Sequence, residues 1–194
     1  TFIRSGNQRI GSRGASGLTT MIDLPLERYR AMASKLTFNL ADLFESVADT
    51  VPDRTAIVSI QRQLSFMELD QRTTRLANHW STLGIGRGDH IGLQLYNGSE
   101  YLEGMLAAYK LRAVPININY HYVAGELQYL YNDADLVAVV THQAFAPSVA
   151  EVVNLAGKLR HVFCVADDSG AAIDPEFHDY EKVLDIEFLQ GHTF

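Results

Sequence analysis

Behind Asn39 the apolar residues Leu40, Leu43, Phe44 and Val47 follow the spacing i, i+3, i+4, i+7, with an asparagine placed to cap and Asp42 in the first turn. The pattern predicts an amphipathic helix. VPDR breaks it, because Pro52 cannot continue a helix and disfavours helical geometry at Val51. TAIVSI and QLSF then read as a short β-hairpin about a polar turn at Gln61 to Gln63. Ser65 and Glu68 have the spacing of a capping box, and Leu69, Leu76, Ala77, Trp80 and Leu83 beyond them lie near one helical face.

After Gly84 the period changes. The strand-like runs HIGLQLY, AVPINI, LVAVV and HVFCVA stand near positions 91, 114, 136 and 161, a recurrence of 22 to 25 residues, with a helical pattern between each pair. The first such helix follows NGSE, where Asn97 and Glu100 have capping-box spacing, and buries Leu102, Met105, Leu106 and Tyr109. The second opens at Glu126 and carries Leu127, Leu130 and Tyr131, and the third starts near Pro147 and carries Val149, Val152 and Val153. Strands apolar along nearly their whole length at this period predict an α/β fold, a mostly parallel sheet with helices on both faces, plus the hairpin.

Composition fits a soluble globular chain: 194 residues, 47% hydrophobic and 20% charged. The charge is uneven, six Lys/Arg against two Asp/Glu over residues 1–36 and ten against twenty-one over residues 37–194, so the body carries −11 and is a poor partner for nucleic acid. Residues 1–20, rich in Gly, Ser, Thr and Arg and without an acid, predict a flexible or tag-like leader. MIDLPLERYRAMASKL is expected to add a short helix, and the domain division is 1–36 for the leader and 37–194 for the body. No apolar run reaches the roughly 20 residues that span a bilayer, and the amino end lacks a signal-peptide core. The single cysteine, Cys164 in HVFCV, predicts a buried thiol in a reducing compartment, and the cytoplasm is the expected location.

Several motifs that tempt towards chemistry fail on context. GIGRGD runs helix, glycines, strand, the reverse of a phosphate cradle, so Gly84 is read as a helix C-cap and Gly86 and Gly88 as a turn. The histidines at 79, 90, 121, 142, 161, 178 and 192 show no metal spacing, and G-x-S-x-G is absent, so neither a catalytic residue nor a metal ligand is assigned. The acidic stretch VADDSGAAIDPEFHDYEK is read as a solvated loop.

Five motifs in order resemble the adenylate-forming superfamily, specifically acyl-CoA synthetases of fatty or sterol-derived acids. VPDRTAIV resembles the family's opening segment, LSFMELD its first core motif, and GIGRGDHIGLQLYN the turn and strand that follow. AYKLRAVPIN occupies the place of a Lys-Ala-Gly-Ala type motif, with Arg112 where glycine is frequent, and NINYHYVAGELQYLYNDAD resembles N-x-N-[FY]-R-Y followed by a helix opening in Glu-Leu. The resemblance implies the amino-terminal subdomain of a ligase that works through an acyl-adenylate and uses ATP, Mg²⁺ and CoA. The Ser/Thr/Gly loop ending in lysine that holds the ATP phosphates in that family does not occur in the chain. The expectation is therefore an amino-terminal fragment, inactive alone and binding no cofactor tightly. A self-standing binding or interaction module built on the same scaffold is the alternative.

The resemblance also implies a site. Ligands of parallel α/β sheets bind beyond the carboxyl ends of the strands, and the polar insert from Asn117 to Tyr122 and the segment from His142 to Phe145 follow two such ends. Asn119, Tyr120 and His142 are thereby placed near CoA, with the rival reading that Asn119 and Tyr122 only brace the next helix. The carboxylic acid and CoA are the implied partners, while peripheral membrane contact and a homodimer stay open.

Overall fold

The computed structural model describes residues 39–60 and 62–185. The leader, the short helix expected after it and His192 lie outside the described residues. Helix α1, Leu40–Thr50, starts at the expected asparagine cap, which the structure completes as a capping box: the Asn39 side chain accepts from the Ala41 amide, and Asp42 accepts from the Asn39 amide at 3.1 Å. Its buried positions are Ala41 and Ala48, while Leu40, Leu43 and Val47 remain exposed. Strands β1, Thr55–Val58, and β2, Gln63–Ser65, pair antiparallel as a separate hairpin.

Ser65 caps α2, Phe66–Thr82, by accepting from the Glu68 amide at 3.2 Å, and Glu68 returns the bond to the Ser65 amide at 2.8 Å. The helix ends where Gly84 takes φ +79°, so that the Gly84 amide reaches the Ser81 carbonyl and the Ile85 amide reaches Trp80, both at 3.0 Å. That left-handed position is nearly free for glycine and satisfies carbonyls the helix would otherwise orphan.

The remaining elements build one parallel sheet. In chain order they are β3 His90–Gln94, α3 Ser99–Lys110, β4 Val114–Asn117, α4 Ala124–Asp133, β5 Leu136–His142, α5 Ala146–Val152, β6 His161–Val165, β7 His178–Asp179 and α6 Tyr180–Asp185. Spatial order is β4-β3-β5-β6-β7, every neighbouring pair parallel. One face packs Trp80, Leu76, Leu93, Val140, Phe163 and Leu184 among α2, α3 and α6. The other packs Ile118, Leu127, Tyr131, Val139, Val149 and Val162 beneath α4 and α5. Gly92 on β3 lets this second layer pack close, since a Cβ there would lie 2.5 Å from Ile118 Cδ1 and force that side chain to shift.

Four expectations need correction. Gly98, not Asn97, caps α3, with no side-chain hydrogen bond. That helix buries Ser99, Glu103, Gly104, Ala107, Ala108 and Lys110, while Leu102 is exposed and Met105, Leu106 and Tyr109 are half-buried. Small residues bring the helix close to the sheet, and its three buried charges are paired: Glu100 with Arg62 at 3.4 Å, Glu103 with Arg72 at 2.8 Å, and Lys110 with Glu45 and Asp70. Helix α4 opens at Ala124, two residues early, because Glu126 folds back to accept the Val123 amide at 3.0 Å. The stretch read as a solvated loop ends in β7 and α6, where Tyr180 is fully buried and Glu181 meets Arg62 and Arg72, each at 2.9 Å.

Candidate functional site

Strand order creates the site. The chain leaves β3 towards β4 on one side, then crosses back to lay β5 on the other, so connections diverge above the carboxyl ends of β3 and β5. Such a switch point leaves a crevice that no crossover covers. Residues just past β3, β4 and β5 meet there.

Tyr96, two residues beyond β3, is the centre of the cluster. Its ring centroid lies 4.8 Å from that of Phe145, 5.1 Å from Tyr120 and 5.3 Å from His142. Tyr120 also stacks on Phe145 at 5.7 Å and packs against His121 at 4.4 Å. Tilted and offset arrangements at these separations are the favourable ones for aromatic rings. Tyr96 and Tyr120 stay 44% and 38% exposed, so the rings support one another and still present open faces.

His142 is the last residue of β5 rather than part of the following loop, which corrects the sequence reading and explains its burial. Its Nδ1 accepts the main-chain amide of Tyr96 at 3.1 Å. Burial pushes the imidazole pKa below its ordinary value, against the opposing pull of Glu100 and Asp167. Asp167 is tied to the same end of β5, accepting from the Ala144 amide at 2.9 Å. Burial would raise its pKa, but hydrogen bonds from Ser169 and Ala144 and the nearby His142 hold it low.

Of the predicted residues, the structure brings Tyr120 and His142 together through Tyr96 and leaves Asn119 outside the ring cluster. The Asn119 side chain accepts the His121 amide at 3.0 Å and its carbonyl accepts from the Tyr122 amide at 3.1 Å, a local turn that shapes the insert. Sequence reasoning included Phe145 only as the end of the segment from His142 and did not single out Tyr96. The available signal was position, because Tyr96 follows the first strand of the parallel series, where a switch point places its ligand.

Cys164 is buried, its thiol pushed up to about 11 chiefly by burial, and so is neutral near pH 7. His79, His161 and His178 gather, with ring centroids 6.0 and 5.7 Å apart along the row. Among the described residues no three His, Cys, Asp or Glu side chains are placed to hold a metal ion. No helix among them is long and apolar enough to cross a membrane.

Residues 44–186 match the family described as AMP-binding enzyme, so the chain belongs to that family. Among curated proteins it is 36% identical over 156 residues to the medium/long-chain-fatty-acid–CoA/3-oxocholest-4-en-26-oate–CoA ligase of Mycobacterium marinum, covering 80% of this chain and 27% of that protein. It is 35% identical over 145 residues to the 3-oxocholest-4-en-26-oate–CoA ligase of Rhodococcus rhodochrous, covering 75% of this chain and 25% of the relative. The chain thus spans about a quarter of the length of the curated relatives it matches. Among solved structures, an anthranilate CoA ligase in complex with anthranoyl-AMP superposes with a TM-score of 0.71 at 21% identity over 79% of this chain and 29% of that one. The long-chain-fatty-acid CoA ligase structure from Rhodopseudomonas palustris superposes at 0.67 with 26% identity, covering 75% of this chain and 36% of the other.

Proposed function

We propose that this chain is the amino-terminal portion of an AMP-forming acyl-CoA ligase of fatty or sterol-derived acids, and that its strand-end aromatic cluster contacts CoA. The names of the relatives support the reaction class and the acid. The observation that supports the site is the open ring cluster of Tyr96, Tyr120 and Phe145 beside His142 at the switch point. CoA offers a purine face for the rings and many hydrogen-bond acceptors for an imidazole N–H, so the residues present fit it. Asn119 contributes indirectly, by setting the turn that carries Tyr120.

ATP and Mg²⁺ belong to the same reading. Joining an anionic acid to an anionic triphosphate needs amides and cations that offset the charge, and the Ser/Thr/Gly loop ending in lysine that the resemblance implies for that task does not occur in the chain. Adenylate formation accordingly falls to parts of the enzyme outside this chain, which alone is expected to be inactive. The cytoplasm, where ATP and CoA are available, is the expected compartment.

The test uses the full-length protein that carries this sequence and measures pyrophosphate release and thioester formation separately. Tyr120→Ala and His142→Ala are expected to raise the KM for CoA or lower kcat/KM for it by roughly 5- to 30-fold, the effect of one lost contact, while pyrophosphate release changes little. Equal loss in both half-reactions, or loss in neither, overturns the CoA contact.

A further inference from the structure

The contact between His142 and Tyr96 fixes more than the position of a ring. A main-chain amide can only donate, so the nitrogen facing it, His142 Nδ1 at 3.1 Å, must hold a lone pair. In a neutral imidazole the proton is then on Nε2. Among the described residues Nε2 has no hydrogen-bond partner, and it is not one of the buried polar atoms left unsatisfied.

We propose that Tyr96 is the positioning residue of the site: its amide locks His142 as the Nε2–H tautomer and its ring walls the imidazole, so that His142 donates a hydrogen bond to an acceptor atom of CoA and takes no proton from the thiol. The identity of the ligand rests on the function proposed above, whereas the tautomer rests on this geometry alone. Two features beyond the amide support the assignment, and the amide itself opposes the alternative. The Tyr96 ring packs 5.3 Å from the imidazole and holds its plane. Burial within β5 opposes the charged form, although Glu100 from α3 and Asp167 from the loop after β6 pull the other way. Protonation at Nδ1 would also set two donors against each other at the Tyr96 amide, so the ring would have to turn out of its bond before acting as a base.

Two measurements on the full-length protein test this. In long-range proton–nitrogen correlation spectra of the histidine-labelled protein, with His142→Gln to assign the signal, His142 is expected as the neutral Nε2–H form at pH 7. A signal from the Nδ1–H form, or from imidazolium, overturns the proposal. For the ligand, His142→Gln places an amide N–H near the position of Nε2, whereas His142→Asn places it near Nδ1. Gln is expected to restore the KM for CoA to within about threefold of wild type, while Asn stays near the roughly 5- to 30-fold defect of Ala. Rescue by Asn instead, or a Gln variant as defective as Ala, overturns the donor role. If no variant at 142 moves the KM for CoA, the CoA contact proposed above and the donor role fall together, while the spectrum still decides the tautomer.

Discussion

Helix α3 and the strand-end cluster just before it handle polarity in opposite ways. Where the helix packs between α2 and α6, Arg72 meets Glu103 at 2.8 Å and Glu181 at 2.9 Å, and the Tyr180 hydroxyl donates to Glu103 at 3.0 Å. Burial would raise the pKa of Glu181, but Arg72 and Arg62 hold it low, and burial of the Tyr180 hydroxyl against Glu103 pushes its pKa up. Every group in this knot has a partner inside the protein. Just before the same helix, the rings around Tyr96 touch one another and Tyr96 and Tyr120 keep exposed faces, while His142 Nε2 has no hydrogen-bond partner among the described residues. The comparison separates two uses of polar and aromatic groups: a fully satisfied cluster fastens elements together, whereas a partly satisfied one at a switch point has contacts left for a ligand.

The largest test of the contrast lies in the knot. Arg72→Met strands the Glu103 carboxylate at 0% side-chain exposure and is expected to cost about 3–5 kcal/mol, read as a fall in the denaturation midpoint. Adding Glu103→Leu removes the stranded charge and should recover part of that loss. No recovery would mean that the helix contact itself, rather than the charge, was damaged. Gly92→Ala lies under the site on β3, where the new methyl would sit 2.5 Å from Ile118 and 3.0 Å from Leu136. It is expected to cost about 1–3 kcal/mol by overpacking.

Stability against pH tests a third region. Burial lowers the pKa of His79 and His161, with His178 adding repulsion to both and Arg160 to His161, while the Leu83 backbone pulls His161 the other way. A depressed imidazole leaves stability intact above its unfolded value of about 6.5 and loses it as pH falls from there towards the lower folded value, because the unfolded chain takes the proton first. The urea midpoint should therefore drop between pH 7 and pH 5.5, and His79→Gln should flatten that drop. An unchanged slope would show that His79 does not carry it.

Arg112 sharpens the picture on a smaller scale. It takes φ +56° at the end of α3, where the Ala113 amide bonds the Ala108 carbonyl at 2.9 Å as the Ile85 amide does behind Gly84. Its ion pair with Asp42 at 3.8 Å is half-exposed, and pairs of that kind contribute little. Arg112→Gly is expected to raise stability by about 1 kcal/mol. Tyr120→Ala, which removes a ring 38% exposed but packed on Tyr96, Phe145 and His121, is expected to cost no more than about 0.5–1.5 kcal/mol of stability. A large loss of stability there would make Tyr120 a brace rather than an open face.

Local physics made much of this legible from the sequence. The caps at Asn39 and Ser65, the break at Pro52, the glycine end of α2 and the strand period depend on residues within a few positions of each other, and each appears as expected. The same is true of the family, whose motifs are short and ordered. The tertiary structure alone decided which face of α3 is buried, because Glu103 and Lys110 can leave water only when Arg72, Glu45 and Asp70 arrive from other helices and Gly104 admits close approach. It also decided that the end of the acidic stretch is a strand and a helix, where Glu181 has two arginine partners more than a hundred residues earlier in the chain. Above all it decided that Tyr96 meets His142, 46 residues apart in sequence. That contact follows from strand order, and strand order depends on which faces bury best together, which no local pattern of residues records.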